Sequence, residues 1–395
     1  MKTNYDITIA GSGLTGLCCA IAMSKLGYSV ALVDTLSYKD LNLFNHDSRT
    51  TALSAGTKNF FHKIGVWKKI KKYSCPIKKI LVEEPFSSTQ SFFESNNEEK
   101  TLGHMIENKN LIKCLTALAK ENKNITKIEE KIIDTKNNGE TIEVFLSKRK
   151  KIASNLLIGA DGKHSKVREL LEIGFYKKNY NQKAFTFNIK HQKPHSNLAI
   201  EKFLEEGPLA SLPIIKNLDK KYHSSIVWSG NAPSYYYALK NKQEFFDGFL
   251  NKHLYKRLGK IEIVSAIKHW DLYLIKAKEY VDDKVVLVGD SAHSIHPLAG
   301  QGFNLTIRGL EKLYEIGEKN YANKKAIGSL KKLSHYNNLH FVDAQAIIFA
   351  TDKLNSLFSN SNIILKFLRS KGLKIFSESE FLKNIFKRYA SKGSI

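Results

Sequence analysis

The stretch YDITIAGSGLTGLCCAIAMSKLGYSVALVDT, residues 5–35, constrains the fold of this chain more than any other feature. A short apolar strand leads into Gly11-Ser12-Gly13-Leu14-Thr15-Gly16, and a helix and a second strand ending at Asp34 follow. This pattern is typical of a βαβ unit that binds a dinucleotide. In such a unit Gly11 makes the tight turn, Gly13 lets the backbone approach a pyrophosphate, and Gly16 lets the helix pack on the strand. The loop residues and Asp34, which is placed to bind an adenosine ribose, are therefore predicted to hold a nucleotide.

Two later loops also follow apolar strands. GADGKHSKVRE spans residues 159–169, and GDSAHSIHPLAGQGFN spans residues 289–304 at the start of a helical pattern. A junction from strand to helix points backbone N–H groups and the positive end of a helix toward an anionic or electron-rich group. Each loop also has a simpler interpretation, because Asp161-Gly162 alone is a common turn and Asp290 alone could cap a helix. Taken alone, neither loop is specific evidence for a ligand-binding site.

The order of the periodic segments predicts an α/β protein whose first domain is interrupted. Residues 1–175 and 284–330 carry the three loops and are predicted to form one Rossmann-like domain in two parts. Residues 176–283 contain alternating segments such as AFTFNIKH and YHSSIVWSG, which are typical of an antiparallel sheet. Residues 331–395 have apolar residues at three- and four-residue spacing and are predicted to form a C-terminal helical region.

The net charge of +24 does not by itself indicate a nucleic-acid partner. The chain has 55 Lys and 7 Arg, the Lys residues are dispersed, and no nucleic-acid motif is present. This excess fits a solvated surface or attraction to anionic lipid. Arg makes the planar, paired contacts with phosphate and carboxylate that Lys cannot make. Three of the few arginines, Arg49, Arg168 and Arg308, lie in or beside the motifs.

The cysteines and histidines indicate neither a disulfide framework nor a metal site. The four cysteines are Cys18, Cys19, Cys75 and Cys114. They form no CxxC or CxxH cluster and are predicted to be small core residues. His293 and His296 lack a third ligand at suitable spacing, so no metal is predicted. Since no run of 18 apolar residues and no signal-like N-terminus is present, we expect a cytoplasmic protein.

In their order along the chain, the three motifs resemble the single-component flavoprotein aromatic hydroxylases, the group of para-hydroxybenzoate hydroxylase. In that group one FAD lies across all three. Four further segments are similar to the ubiquinone-biosynthesis branch, whose members act on polyprenylated phenols: NHDSRTTALSAGT (45–57), MIENKNLIKCL (105–115), EKFLEEGPLASLPI (201–214) and HPLAGQGFNL (296–305). The resemblance implies a Rossmann-like FAD-binding domain with an inserted antiparallel-sheet substrate domain.

The resemblance also implies roles for individual residues. Asp290, next to Gly289, would bind the ribityl chain, and Asp161-Gly162 would lie near the pyrophosphates of FAD and of the nicotinamide cofactor. Arg49 would reach the FAD, and Asn108 would begin a helix that supports it. The loop and helix start that would face the flavin ring comprise Pro297, Gly300, Gln301, Gly302, Phe303 and Asn304. The substrate pocket would include Leu212, Pro213 and Trp228.

Three positions depart from the pattern of that branch. Thr306 and Gly309 stand where its members usually have Gly and Asp, and an Arg is usual near Lys163 or His164. These departures affect individual contacts and leave the implied fold unchanged.

The resemblance implies a monooxygenase with tightly but noncovalently bound FAD, with NADPH or NADH as a transient reductant and O₂ as a substrate. The reaction would be hydroxylation of the aromatic ring of a polyprenylated phenol, and no catalytic side chain is assigned because the flavin carries the chemistry. The chain has no second GxGxxG for the nicotinamide cofactor. Two alternatives are a flavin-dependent reductase of a prenyl substrate and a non-catalytic, FAD-bound scaffold of a quinone-synthesis assembly.

A polyprenylated phenol partitions into lipid, so the protein must meet it at a bilayer or receive it from a partner. Residues 363–392 carry basic residues among Leu, Ile and Phe. We therefore expect a peripheral contact with the anionic inner face of the cell membrane through the C-terminal region. Delivery by other quinone-biosynthesis proteins is the alternative.

Overall fold

The computed structural model describes residues 3–41, 47–83, 90–94, 101–215, 222–325 and 327–359. The strands in this part of the chain are β1 (Asn4–Ala10), β2 (Val30–Val33), β3 (Thr50–Leu53), β4 (Ser74–Ile77), β5 (Lys79–Glu83), β6 (Gln90–Glu94), β7 (Gly103–Glu107), β8 (Ile125–Ile128), β9 (Ile132–Asn137), β10 (Ile142–Leu146), β11 (Lys151–Gly159), β12 (Phe175–His191), β13 (Leu198–Leu204), β14 (Gly207–Ile214), β15 (Tyr222–Asn231), β16 (Ile261–Ile263), β17 (Lys268–Ala277), β18 (Val281–Asp282), β19 (Val285–Leu287) and β20 (His293–Ser294). The α-helices are α1 (Leu14–Lys25), α2 (Tyr38–Leu41), α3 (Ala55–Lys63), α4 (Trp67–Ile70), α5 (Asn108–Glu121), α6 (Lys166–Leu170), α7 (Ser234–Lys240), α8 (Lys242–Leu258), α9 (Gln301–Ala322) and α10 (Leu330–Ser359).

The first sheet is the frame of the nucleotide-binding domain. Its strands lie in the order β18-β19-β11-β1-β2-β8, and the neighbours from β19 to β8 are parallel. All four residues of β2 are buried, as expected for a parallel strand that is covered on both faces. The parallel direction brings the carboxyl ends of β19, β11, β1 and β2 to the same edge of the sheet.

The second sheet forms most of the inserted domain and is largely antiparallel. Its order is β20-β17-β12-β15-β14-β13-β5-β6, with β16 also paired to β12. One face is covered by α7 and α8 through an aromatic core that includes Phe185, Trp228 and Phe246. The opposite face is turned toward the first domain, because Ser225 and Asn188 on that face hydrogen-bond Thr50 and Glu107.

The fold confirms the predicted α/β class and the interrupted order of the chain. The cysteines are buried and unpaired, as predicted. One assignment differs: β5 and β6, which lie within the predicted first domain, pair with β13 and extend the second sheet. The predicted C-terminal helical region is helical over α10, and residues 360–395 lie outside the described residues. No described helix combines the length and apolar character needed to cross a bilayer.

Candidate functional site

The three loops meet at one edge of the first sheet. Ala10 at the end of β1 pairs with Gly159 at the end of β11, and Gly159 pairs with Leu287 at the end of β19. The loops that follow these three strands are therefore neighbours, although almost 280 residues separate the first from the last. This edge is where open α/β sheets bind their ligands.

The first loop has the geometry of a pyrophosphate cradle. Gly11 adopts φ of +94°, which favours glycine. A Cβ on Gly16 would lie 1.8 Å from the carbonyl oxygen of Gly11, so α1 can pack against the turn only with Gly at that position. A Cβ on Gly13 would meet no protein atom within 4 Å, and no side chain caps α1. Open space before the uncapped start of a long helix fits a phosphate group.

Asp34 is held by the loop that it was predicted to serve. Its carboxylate accepts hydrogen bonds from the Ser12 backbone N–H at 2.6 Å and from the Ser12 hydroxyl at 2.9 Å. Lys127 at the end of β8 donates to the same hydroxyl at 3.2 Å. Burial raises the pKa of Asp34, but hydrogen bonds from Ser12 and Leu36 and the charge of Lys127 outweigh it and lower the pKa below its ordinary value. Lys127 was not predicted from the sequence and is a further candidate residue of this site.

The second loop uses one oxygen of Asp161 for the protein. Oδ2 accepts hydrogen bonds from the backbone N–H groups of Lys166 and Val167 at 2.7 and 3.0 Å, which fixes the start of α6. Oδ1 is buried and has no hydrogen-bond partner among the described residues. Gly162 has φ of +84° and faces open space. An unpaired buried carboxylate oxygen beside open space fits a ligand that brings a donor.

Arg168 joins the second loop to the third. Its buried guanidinium donates to the carbonyl oxygens of Ser291 at 2.7 Å and Lys163 at 2.9 Å. The Ser291 hydroxyl donates to the carbonyl oxygen of Gly159 at 2.6 Å. Arg168 therefore fixes the relative position of the two loops.

Asp290 on the third loop is solvent-exposed, although the protein nearby partly desolvates its carboxylate. Its side chain is therefore accessible to a ligand. Desolvation raises its pKa, and the charges of Arg49 and Lys163 partly offset the rise. Asp290 makes no hydrogen bond to any described residue, so both oxygens are available to the hydroxyl groups of a ligand.

The start of α9 lies beside this cleft. Gly300 precedes the helix with φ of +60°, and no side chain caps the helix. The side-chain amide of Asn304 is fully used inside the protein. It donates to the carbonyl oxygens of Ala52 and Gly300 at 2.9 and 3.0 Å, and accepts from the Ser54 backbone and the Thr57 hydroxyl at 2.9 and 2.8 Å. Asn304 therefore positions the helix start, and its side chain has no hydrogen-bonding capacity left for a flavin.

Among the other ring-facing candidates, Phe303, Pro297 and Gly302 offer little beyond their backbone. Phe303 packs its ring against Phe61 in the main core. Pro297 begins a 3₁₀ turn that leads to Gly300. Gly302 has no side chain, and it follows Gln301, the first residue of α9. What this segment can offer an electron-rich ring edge is the positive end of a 22-residue helix.

Arg49 and Asn108 lie between the two domains. Arg49 is paired with Asp47 at 2.8 Å, and its guanidinium lies 5.7 Å from the ring centre of Trp270. Hydrogen bonding to Asp47 raises the pKa of Arg49 despite burial. Asn108 begins α5, as predicted, and accepts a hydrogen bond from Thr51 at 2.6 Å.

Two of the three predicted pocket residues are on the wrong face of the second sheet. Trp228 is fully buried against α8, and it pairs with Leu209 on the same face. Pro213 lies four residues after Leu209, so strand alternation places it on that face too. Leu212 pairs with Ser225 and does face the first domain. The tryptophan on this side is Trp270 of β17, which pairs with Ala184.

The structure accounts for two of the departures from the branch pattern. Thr306 donates to the Gly302 carbonyl oxygen at 3.1 Å within α9. A Cβ on Gly309 would lie 2.5 Å from the His340 ring, so the missing side chain makes room for α10. Among the described residues, no three His, Cys, Asp or Glu side chains are grouped to hold a metal ion.

Relatives of known name cover almost the whole chain. It is 29% identical over 389 residues to the ubiquinone hydroxylase UbiL of Rhodospirillum rubrum, a match that covers 98% of this chain and 89% of that protein. It is 27% identical over 389 residues to the 3-demethoxyubiquinol 3-hydroxylase of Escherichia coli, with 98% of each chain covered.

Solved structures show the same fold at low sequence identity. The p-nitrophenol 4-monooxygenase PnpA of Pseudomonas putida has a TM-score of 0.78 at 14% identity, covering 100% of this chain and 99% of that chain. PqsL of Pseudomonas aeruginosa, described as a probable FAD-dependent monooxygenase, has a TM-score of 0.77 at 16% identity, covering 94% and 99%. The family described as FAD binding domain matches residues 4–316. Because this match includes all three loops and most of the chain, the protein belongs to the FAD binding domain family, in agreement with the resemblance drawn from its motifs.

Proposed function

We propose that the protein is an FAD-dependent monooxygenase that uses NAD(P)H and O₂ to hydroxylate the aromatic ring of a polyprenylated phenol in ubiquinone biosynthesis. The observation that carries this proposal is that the loops of the first sheet meet one face of the second sheet. The third loop joins the second sheet because its strand β20 pairs with β17, and the face of that sheet opposite α8 contacts Thr50 and Glu107. A flavin at the loop edge of the first sheet would have a substrate ring next to it, as oxygen transfer requires. The two ubiquinone-pathway hydroxylases among the relatives support the same reaction.

Bound FAD would supply the redox chemistry, taking a hydride from NAD(P)H and activating O₂ so that one oxygen atom enters the ring and the other leaves as water. The side chains have the remaining tasks of binding, orientation and exclusion of water. The uncapped start of α1 suits the pyrophosphate, and the unpaired carboxylate of Asp290 suits the ribityl hydroxyls. The uncapped start of α9 would stabilise negative charge on a reduced ring.

The two alternative functions have weaker support. A reductase of a prenyl substrate would need no oxygen-accessible space beside the ring, and the relatives named above are hydroxylases. The scaffold hypothesis depended on Thr306 and Gly309. Both positions are accounted for by packing and hydrogen bonding within α9 and against α10, so neither indicates a lost active site.

Assays of the purified protein test the proposal directly. It should be yellow, release FAD on denaturation, and oxidise NADPH or NADH with matched O₂ uptake only when a 2-prenylphenol is added. Mass analysis should find the ring with one added oxygen. NADPH oxidation without O₂ uptake would favour the reductase, and a yellow protein that never oxidises either nicotinamide cofactor would favour the scaffold. Mass analysis of quinone precursors in cells that lack the gene gives an independent check.

For substrate access, we propose a peripheral contact with an anionic membrane through the C-terminal region. Leu339, Val342 and Phe349 on α10 are 45%, 67% and 64% exposed, and their spacing places them on one side of the helix. Exposed Lys331 and Lys353 lie on the same side. This apolar stripe with basic ends suits a surface of anionic headgroups. The predicted tail, residues 363–392, lies outside the described residues.

Sedimentation with anionic and neutral vesicles tests this contact. We expect salt-sensitive binding to anionic vesicles, weakened in a Val342→Ser/Phe349→Ser double variant and in a chain truncated after Ser361. Tyr237→Ser is the control, because Tyr237 is 65% exposed in the other domain. If neither change weakens binding, or the intact chain does not sediment, delivery by another quinone-biosynthesis protein is the better explanation.

A further inference from the structure

One carboxylate on the inward face of the second sheet has no hydrogen-bond or ion-pair partner among the described residues. Glu201 lies on β13 and pairs with Ala210 on β14, which in turn pairs with Val227 on β15. Val227 pairs with Thr186 on β12. Paired residues share a face, and each lies two residues from the row that contains Leu212, Ser225 and Asn188. Glu201 therefore lies on the face that is turned toward the first domain.

The surroundings of Glu201 combine enclosure with access. Glu201 is half-buried, and the protein around its carboxyl group desolvates it. Its side chain is therefore partly enclosed but still accessible. The same face carries small side chains at Ala210, Ser229 and Ala184, together with the larger Val227 and Phe203. Small residues on a buried sheet face leave room for a flat ring.

Other carboxylates of this sheet have cations. Glu83 is held by Lys202 at 2.6 Å and Arg257 at 2.7 Å, and Glu262 is held by Lys190 at 2.7 Å. The described residues provide no hydrogen bond and no ion pair to Glu201. Desolvation alone raises the pKa of Glu201 to about 7. In a chain with a net charge of +24, a partly buried carboxylate that has no partner among the described residues suits a ligand that brings a donor.

We propose that Glu201 receives the phenolic hydroxyl group of the aromatic substrate, first as a hydrogen-bond acceptor and then as the acceptor of its proton. This inference rests on the proposed function. The phenolic O–H bond breaks, a carboxyl O–H bond forms on Glu201, and the electron pair stays on the phenolic oxygen. No electron is exchanged with the cofactor in this step. The resulting phenolate enriches the ring in electrons, which favours attack on an electrophilic oxygen.

The ionisation of Glu201 sets the expected pH dependence. Its carboxylate form predominates above about pH 7, so the preference for a phenol should increase as the pH rises through that value. The other charged or titratable groups on or against the inward face, among the described residues, include Arg49 with Asp47, Glu107 with Lys109, Lys190 with Glu262, His223, Lys268, Asp290 and His296. Burial lowers the pKa of His296 to about 4, so it stays neutral across this range.

The test compares FAD-loaded full-length protein with Glu201→Gln and with Glu262→Gln, a matched surface control. Each is titrated with 2-prenylphenol and with its methyl ether from pH 5.5 to pH 9, and binding is followed by flavin absorbance. The wild type and Glu262→Gln should bind the phenol about 10- to 100-fold more tightly than the ether above pH 7, with a smaller preference below it. Glu201→Gln should show no such pH-dependent preference. Glu201→Asp, which keeps a carboxyl group, should restore part of it and serves if the Gln variant does not fold.

Two results would overturn the inference, and they are distinguishable. An equal phenol preference and equal kcat/KM in the wild type and Glu201→Gln at every pH would exclude Glu201 while leaving the hydroxylase function intact. Failure of the wild type to bind or oxidise any prenylphenol would remove the substrate class, and with it the role of Glu201.

Discussion

Replacing two carboxylates of the candidate FAD site should separate residues that bind the cofactor from residues that hold the loop. Asp34 accepts two hydrogen bonds from Ser12, whose side chain is fully buried, whereas Asp290 accepts none from the described residues. In Asp34→Ala the Ser12 N–H and hydroxyl lose their acceptor. A buried unpaired donor costs about 1–3 kcal/mol, so the FAD-free protein should lose about 2–4 kcal/mol of unfolding free energy.

Asp290→Ala should behave in the opposite way. Desolvation raises the pKa of Asp290, which means that the FAD-free fold disfavours the ionised carboxylate. Removing it should leave the unfolding free energy of the FAD-free protein unchanged or slightly higher. A charged hydrogen bond to a ligand contributes about 1.5–3 kcal/mol, so the FAD dissociation constant should rise about 10- to 100-fold, more than in Asp34→Ala.

The assay is urea unfolding of the FAD-stripped proteins, together with FAD titration followed by flavin fluorescence. Comparable m-values would show that the two variants and the wild type unfold through the same transition. The reasoning fails if Asp290→Ala destabilises the FAD-free protein as much as Asp34→Ala does, or if the two variants have equal FAD dissociation constants.

Three further predictions concern the loops and the core. Arg168→Met should lower the unfolding free energy by about 2–4 kcal/mol and weaken FAD binding, because two buried carbonyl groups lose a charged donor; Arg149→Met, at an exposed turn, should change neither in the same urea and FAD titrations. Gly16→Ala should prevent folding, since its Cβ would lie 1.8 Å from a carbonyl oxygen, whereas Gly13→Ala should fold normally by circular dichroism and lose FAD affinity. The protein should lose stability as the pH falls from about 6.5 to 4, because neutral buried histidines with lowered pKa values must take up protons on unfolding; a flat melting temperature over that range would contradict this. The histidines with pKa values of about 3 or 4 are His104, His191, His253, His293 and His296.

The first βαβ unit could be predicted because the residues that determine it lie close together in the sequence. Its turn, helix packing and terminal carboxylate are all specified within residues 5–35, and the structure has Gly11, Gly16 and Asp34 in the expected relation. Pairing between distant strands was not predictable in this way. The segment KKILVEE reads as a strand, but nothing within it shows that β5 pairs with β13, more than 100 residues later.

Trp228 was wrongly predicted as a pocket residue, although the alternation of residues in β15 already indicated the correct face. In β15, Ile226 and Trp228 alternate with Ser225, Val227 and Ser229. The apolar and aromatic set packs against helices, and the small or polar set faces the other domain. A pocket floor needs small residues, so the smaller set was the better candidate. The internal roles of Asn304 and Arg168 carried no such signal, because their partners come from distant parts of the chain.

Their hydrogen bonds divide the carboxylates of the candidate site into those that hold the protein together and those that are available to a ligand. Asp34 and one oxygen of Asp161 bind backbone N–H groups and stabilise the loops; Asp47 fixes Arg49. Asp290 and Glu201 have no such partner among the described residues.

In a chain with 62 basic residues, a cation could have been recruited to either position. A carboxylate without a cationic partner destabilises the ligand-free fold. This loss of stability is expected at a position where a ligand supplies the missing donors. The two carboxylates also lie in different domains, one at the loop edge and one on the facing sheet. The proposed function gives them different ligands: Asp290 suits the sugar-like chain of the cofactor, and Glu201 suits the hydroxyl group of the ring to be oxidised.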